Sequence, residues 1–243
     1  MLGGLVIYPF AQAREVLRLL RELATDGPDE LTCMITLTSD PQSREKVVAL
    51  AVCFNGPVDR GMPFIERIRS ALPASHFDLR PRSYVEMQSV YPDLPFGLRH
   101  YWKGHFVRDL TDELIELTVE HFAMRRGKIG AILVEPLHGA ARRVPADATA
   151  FSQREARYNV SALSVWEDPD TDAEEIAWAR AYAGAAERYS VTGGGYLNYM
   201  AHDEPAERVR AAYGPAKFER LRELKRRYDP TNMLRFNQNI PPL

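Results

Sequence analysis

Two short runs near the N-terminus constrain the fold more than any other feature. Residues 31–39 place Leu31, Cys33, Ile35 and Leu37 at alternate positions, the pattern of a strand with one face buried. After a turn at 40–44 comes a second run, 46–55, rich in Val, Ala and Phe, and it reads as a second strand. Ahead of this pair lie an apolar strand at 5–8 and residues 12–24, whose Val16, Leu19, Leu20 and Leu23 recur at helical spacing. Gly56-Pro57 leads into another helix, with Phe64, Ile65, Ile68 and Leu72 on its stripe. The order strand, helix, strand, strand, helix continues into strands at 78–83, 100–107, 131–137 and 157–166. Helices are expected at 84–89, from a Thr111 cap to about residue 125, at 172–189, at 204–213 and at 216–228. Residues 91–97, with Pro92 and Pro95, read as a stiffened loop, and 139–144 as a bend or a further short strand. Strands joined by tight turns and one-sided helices predict an α+β fold, an antiparallel β-sheet with helices packed on one face. The other face is then free to cover a ligand.

Composition narrows the function. Of 243 residues, 31 are basic and 33 acidic, giving a net charge of −2 with no basic tract, so a nucleic-acid partner is not expected. No apolar run approaches the roughly 18 residues of a membrane span, and the first ten residues lack the pattern of a secretory leader. A cytoplasmic protein is the expectation. Cys33 and Cys53 are too few for a disulfide framework and read as buried, reduced thiols. The six histidines show no H-x-x-x-H spacing, so no metal site is expected.

The last fifty residues carry the chemistry. Gly193-Gly194-Gly195 lets the backbone turn sharply or approach a flat ligand closely. Tyr196, Leu197, Asn198 and Tyr199 follow. As an extended segment they would put Tyr196 and Asn198 on one side and Leu197 and Tyr199 on the other. The tail, residues 228–242, is rich in amides and aromatics, and its prolines forbid helix. The glycine run does not open a helix within a strand–helix–strand unit, so it is not read as a dinucleotide fingerprint.

The pattern G-G-x-Y-x-N-Y from Gly193 to Tyr199 is followed by Ala212-Tyr213-Gly214. Then comes R-L-x-x-x-K-x-x-Y-D-P-x-N-x-x-R-x-N-Q-N-I, ending at Ile240. Together they resemble the C-terminal signature of the berberine bridge enzyme-like flavin oxidoreductases, within the vanillyl-alcohol-oxidase-type flavoproteins. The resemblance implies a ferredoxin-like substrate domain over residues 1–190 and a berberine-bridge-type segment over 191–243 packed on it, the sheet roofing a flavin ring. It implies FAD as cofactor and hydride transfer from an alcohol, sugar or secondary-metabolite substrate. Tyr196 is the position implied as catalytic proton acceptor, or as a ring lining the ligand. A tyrosine of ordinary pKa, about 10, needs nearby positive charge or donated hydrogen bonds for the former role. Asn198, Tyr199, Asn237 and Gln238 are the implied flavin contacts; Asn198 alternatively bonds its own turn, and the tail amides alternatively satisfy backbone groups. Tyr101 and Lys103, in a Y-W-K-G strand, and Glu135, in E-P-L-H-G, are implied substrate contacts. Lys103 facing the pocket could lower the pKa of Tyr196 or hold an anion, or else be solvated.

Two positions depart from the family pattern: His138 stands where a glycine is usual, which could crowd the backbone near the site, and Gln153 where a histidine is common. Arg154 is expected to pair with a carboxylate. No R-x-G-G-H segment or early glycine-rich loop is present, so the chain is expected to begin where the flavin domain would end. Alone it is then expected to bind flavin weakly or not at all, and either a separate flavin-domain chain completes it or the sequence is a truncated product. The alternative is a non-catalytic, small-ligand-binding or self-associating module, and a homodimer burying the helix-free face suits either reading.

Overall fold

The computed structural model describes residues 1–91, 96–127 and 129–243. The expected proline loop at 91–97 falls largely on residues 92–95, outside the described residues. Among those described, seven strands form one sheet: β1 (Leu2–Pro9), β2 (Leu31–Ser39), β3 (Lys46–Phe54), β4 (His76–Pro81), β5 (Arg99–Val107), β6 (Ile129–Pro136) and β7 (Tyr158–Trp166). Eight helices accompany them: α1 (Ala13–Asp26), α2 (Val58–Ala71), α3 (Tyr84–Gln88), α4 (Asp112–Ala123), α5 (Ala140–Arg143), α6 (Asp172–Ala186), α7 (Ala206–Tyr213) and α8 (Pro215–Tyr228).

The strand order is β4-β1-β3-β2-β6-β7-β5, with every pairing antiparallel. Its first half, β1-α1-β2-β3-α2-β4 in the order β4-β1-β3-β2, is the ferredoxin-like arrangement. Strand β6 joins the β2 edge through Ile35 opposite Val134, and β7 and β5 extend the sheet from there.

Alternation along the strands decides the two faces. Val6, Tyr8, Ile35, Leu37, Leu50, Val52, Ile132, Val134, Val160 and Ala162 turn toward the helices and form the core. On α1, Val16, Leu17, Leu20 and Leu23 are buried against it, each burial contributing about 1.5–3 kcal/mol. Thr111 caps α4, its hydroxyl accepting from the Leu114 amide at 3.3 Å. Among the described residues, α1, α2, α4 and α6 pack on the core side and none of these four lies on the opposite face. In its β2–β6–β7 portion it presents Thr36, Glu135, Asn159 and Ser161.

Residues 139–144 form the one-turn helix α5, not a strand; Gly139 enters it at φ 61°, a left-handed conformation that glycine adopts without strain. Cys33 is buried, Cys53 half-buried, and both are free thiols. No helix among the described residues is long and apolar enough to cross a membrane.

Candidate active site

The glycine run carries the chain from the sheet's outer edge onto its helix-free face. The Val191 amide donates to the Phe106 carbonyl at 2.9 Å, holding the incoming chain on β5. Gly193 turns at φ 68°. At Gly194 the backbone lies against α7 so closely that a Cβ would sit 2.6 Å from the Ala212 nitrogen. The next residues are not extended: Leu197–Tyr199 is a 3-10 turn, closed by the Tyr199 amide donating to the Tyr196 carbonyl at 2.8 Å. The expected separation of Tyr196 from Tyr199 is therefore corrected. A turn of about three residues brings i and i+3 together, and the two rings meet edge to face with centroids 4.9 Å apart.

Around these rings lies a compact cluster. Trp102 stacks on Tyr199 at 4.5 Å, and Phe106 meets Tyr196 at 6.0 Å. Tyr199 Oη donates to Glu135 Oε1 at 3.1 Å. Glu135 Oε2 accepts from Asn159 Nδ2 at 2.7 Å, and Ser161 Oγ donates to Asn159 Oδ1 at 3.2 Å. Tyr91 Oη lies 3.2 Å from Thr36 Oγ1 on β2. Burial pushes the Glu135 carboxyl up, against the pull of its bonds from Asn159 and Tyr199. Burial, followed by the neighbouring Glu135 carboxylate, raises the Tyr199 phenol. Tyr199 is thus held as a protonated donor. Tyr196 is differently placed: its Oη accepts from Asn198 Nδ2 at 2.9 Å.

A cavity of about 640 Å³ opens beside the cluster, walled by Trp102, Tyr199, Asn198 and, from the tail, Asn237 and Gln238. Gln238 Nε2 donates to the carbonyls of Met200 and Ala201 at 2.9 and 3.3 Å, tying the tail to the end of the turn. Asn237 adopts φ 60°, a conformation asparagine tolerates better than most residues. Tyr196 does not itself wall the cavity; it reaches it through Asn198. Amides presenting both donor and acceptor beside stacked aromatics suit the edge of a polar heteroaromatic ring.

Tyr101 and Lys103 lie on the other side of β5. Tyr101 is 4% exposed; its hydroxyl donates to Asp203 at 3.1 Å and accepts from Arg180 of α6, also at 3.1 Å. It also lines the cavity, beside Trp102. Lys103 is paired with Glu204 at 2.5 Å, and Glu204 also faces Arg208 at 3.0 Å. The expectation that Lys103 faces the pocket near Tyr196 is corrected: strand alternation gives the cleft Trp102, and Glu204 engages the ammonium. Among the described residues Arg154 does not meet a carboxylate either. It donates to the Ala141 carbonyl and Thr149 hydroxyl at 2.5 and 2.9 Å. Gln153 is buried, binding the Ala212 carbonyl and the Thr192 hydroxyl, so it fastens the glycine run. His138 lies beside Asp29, which pairs with Arg143. Asn159, Ser161 and Tyr91 were not singled out from the sequence. The polar alternation of Asn159 and Ser161 within an apolar strand was the signal available.

A family model described as "Berberine and berberine like" matches residues 195–241. An FAD-linked oxidoreductase of Dictyostelium discoideum is 31% identical over 247 residues, 99% of this chain and 52% of that protein. The chain belongs to the berberine bridge enzyme-like FAD-linked oxidoreductases. It spans about half the length of the curated relatives it matches over most of its sequence. The berberine bridge enzyme-like fold recurs in 6-hydroxy-D-nicotine oxidase from Arthrobacter nicotinovorans, with a TM-score of 0.79 and 23% identity over 100% of this chain and 55% of that one. It recurs in xylooligosaccharide oxidase from Myceliophthora thermophila, crystallised with xylobiose, with a TM-score of 0.75 and 16% identity over 100% and 55% of the two chains. In this berberine bridge enzyme-like chain, the matched segment includes the 3-10 turn, α7, α8 and the cavity-lining tail. Among the described residues no three His, Cys, Asp or Glu side chains converge as a metal site would require.

Proposed function

We propose that this chain supplies the substrate-side wall of an FAD-dependent oxidoreductase site, acting on a small alcohol, sugar or secondary metabolite. The observation that carries the reading is the placement of Tyr196 and Tyr199 by one 3-10 turn on the helix-free sheet face, beside Glu135 and an amide-lined cavity. FAD, when bound, supplies the hydride acceptor. Asn198, Asn237 and Gln238 would meet its polar edge, and Trp102 and Tyr199 would pack beside the ring. Tyr196 is the proton acceptor: its phenol oxygen receives a donated hydrogen bond from Asn198, whereas the Tyr199 hydroxyl is spent on Glu135. Tyr199 holds its proton and orients Glu135.

The unit that holds the rest of FAD would cover this face, from the same polypeptide or from a partner chain. Met233, Leu234 and Phe236 of the tail are 74%, 72% and 83% exposed. Apolar side chains grouped in this way mark a surface that receives another. The test is titration of FAD into the chain together with a flavin-binding unit, joined to it or added as a partner chain. A shift of the flavin's visible absorbance is expected, and its absence overturns the reading.

A further inference from the structure

Gly193, Gly194 and Gly195 leave the approach to Tyr196 without side chains to hold it, and glycine has more backbone freedom than any other residue. Among the described residues, the side chain from outside 190–195 that hydrogen-bonds this stretch is Gln153. It is 2% exposed. Its Nε2 donates to the Ala212 carbonyl at 3.2 Å. A carbonyl can only accept, so the amide orientation is fixed and Oε1 faces Thr192. The Thr192 hydroxyl donates to that oxygen at 3.1 Å and accepts from the Gly194 amide at 3.3 Å. The relay runs in one sense, from the glycine run to the end of α7.

Gln153 sits in a braced segment. Lys217 of α8 donates to the Phe151 carbonyl at 3.0 Å, and the Ser152 hydroxyl donates to the Tyr213 carbonyl. Ala212 and Tyr213 close α7, where carbonyls lack partners within the helix, so Ser152 and Gln153 cap it from outside. The Phe151 ring meets Phe106 edge to face at 5.8 Å, and Phe106 meets Tyr196 at 6.0 Å. One short segment therefore bears on Tyr196 twice, through its backbone approach and through its ring.

We propose that Gln153 is a positioning residue for Tyr196, and that its bond to Thr192 sets where the phenol stands relative to Asn198 and Tyr199. The inference rests on the oxidoreductase reading for the task given to Tyr196, proton acceptance. A side-chain amide suits the place, because it supplies a donor and an acceptor together and carries no charge.

The experiment labels the chain with fluorotyrosine and follows Tyr196 by fluorine NMR in native buffer, its resonance assigned with Tyr196→Phe. Gln153→Leu removes both bonds of the amide. Thr192→Val, at an exposed position, breaks the relay without opening the interior. Both are expected to shift or split the Tyr196 resonance and to leave that of Tyr158, deep in the core, unmoved. Thr192→Ser keeps the hydroxyl and should keep the parent spectrum. A Tyr196 resonance unmoved in Thr192→Val, or moved as far by Thr192→Ser, overturns the inference. So does a Gln153→Leu protein whose urea midpoint falls while Tyr196 stays in place, which would make Gln153 a helix cap and nothing more. Adding FAD with a flavin-binding unit should move the Tyr196 resonance of the parent. If it does not, the oxidoreductase reading falls and the positioning of Tyr196 by Gln153 stands.

Discussion

Trp102 lies against Tyr199 with ring centroids 4.5 Å apart and planes 30° from parallel. This contact fixes the 3-10 turn to the outer strand of the sheet, because Trp102 belongs to β5 and Tyr199 ends the turn. It also sets the distance from Tyr199 Oη to Glu135. Aromatic pairs of this kind couple by about 0.5–1.5 kcal/mol beyond their buried area. A double-mutant cycle with Trp102→Leu and Tyr199→Leu, read by urea denaturation, should return a coupling near 1 kcal/mol. Additive effects would show that the turn is held by other contacts.

Glu204 makes a stronger demand on the fold. Its side chain is 1% exposed between Lys103 and Arg208, each with a side chain 17% exposed. Removing the central carboxylate leaves two buried cations facing each other, a change that costs about 3–5 kcal/mol. Glu204→Gln should therefore lower the urea midpoint by more than either Lys103→Met or Arg208→Met. A loss below about 0.5 kcal/mol, the range of ordinary surface substitutions, would mean that water screens the group.

Two glycines give opposite expectations for the same substitution. A Cβ at Gly194 would stand 2.6–2.9 Å from backbone atoms of Ala211 and Ala212. Backbone cannot move aside as a flexible side chain can, so Gly194→Ala should separate the glycine run from α7 and destabilise the protein by roughly 1–3 kcal/mol, as overpacking does. Gly184, within α6, has nothing within 4 Å of its added Cβ, and Gly184→Ala should stabilise by about 1 kcal/mol through helix propensity. Thermal midpoints of the two variants, measured side by side, check both.

The sheet was legible because its strands alternate: Leu31, Cys33, Ile35 and Leu37 announce a buried face whatever lies on the other side. Its first-half helices announce themselves through stripes such as Val16, Leu19, Leu20 and Leu23. The site was legible in its residue types and less so in its geometry. Tyr196 through Tyr199 read as extended and are turned, because the hydrogen bond from the Tyr199 amide to the Tyr196 carbonyl leaves no trace in residue choice. Lys103 was misplaced for a related reason. Alternation says that it opposes Trp102, but which of the two faces the cleft depends on α6 and on Glu204, about a hundred residues away. Asn159 and Ser161 depend on the covering turn for their meaning.

His105 links stability to pH. It is 1% exposed, its Nε2 lies 3.0 Å from the Ala183 carbonyl, and its Nδ1 has no partner among the described residues. Burial first, then Arg208 and Lys103 nearby, push its pKa from 6.5 down to about 4. The unfolded chain then binds a proton that the folded chain refuses between those two values. Stability is accordingly unaffected by His105 above about pH 6.5, falls as pH drops through the window, and levels off below about pH 4, by on the order of 3 kcal/mol in all. The thermal midpoint should decline from pH 7 to pH 5 in the parent and decline less in His105→Gln. The remaining slope includes His121, whose burial depresses it in the same direction. An unchanged slope in the variant would show that His105 is protonated in the folded state.

Tyr196 carries the chemical prediction. Its hydroxyl is bonded by Asn198 and its ring rests on Phe106 and Tyr199, so Tyr196→Phe removes one oxygen and keeps the packing. If Tyr196 takes the proton from the substrate, the FAD-loaded variant should bind substrate as before and lose about 10²–10⁴-fold in turnover, the usual contribution of a positioned base. Asn198→Ala should act in the same direction and more weakly, because it withdraws the hydrogen bond that orients the phenol while leaving the phenol in place. The split between binding and turnover separates this from a packing effect. A loss confined to kcat in Tyr196→Phe fits a proton acceptor, whereas a KM that rises as far as turnover falls would assign the proton to another group.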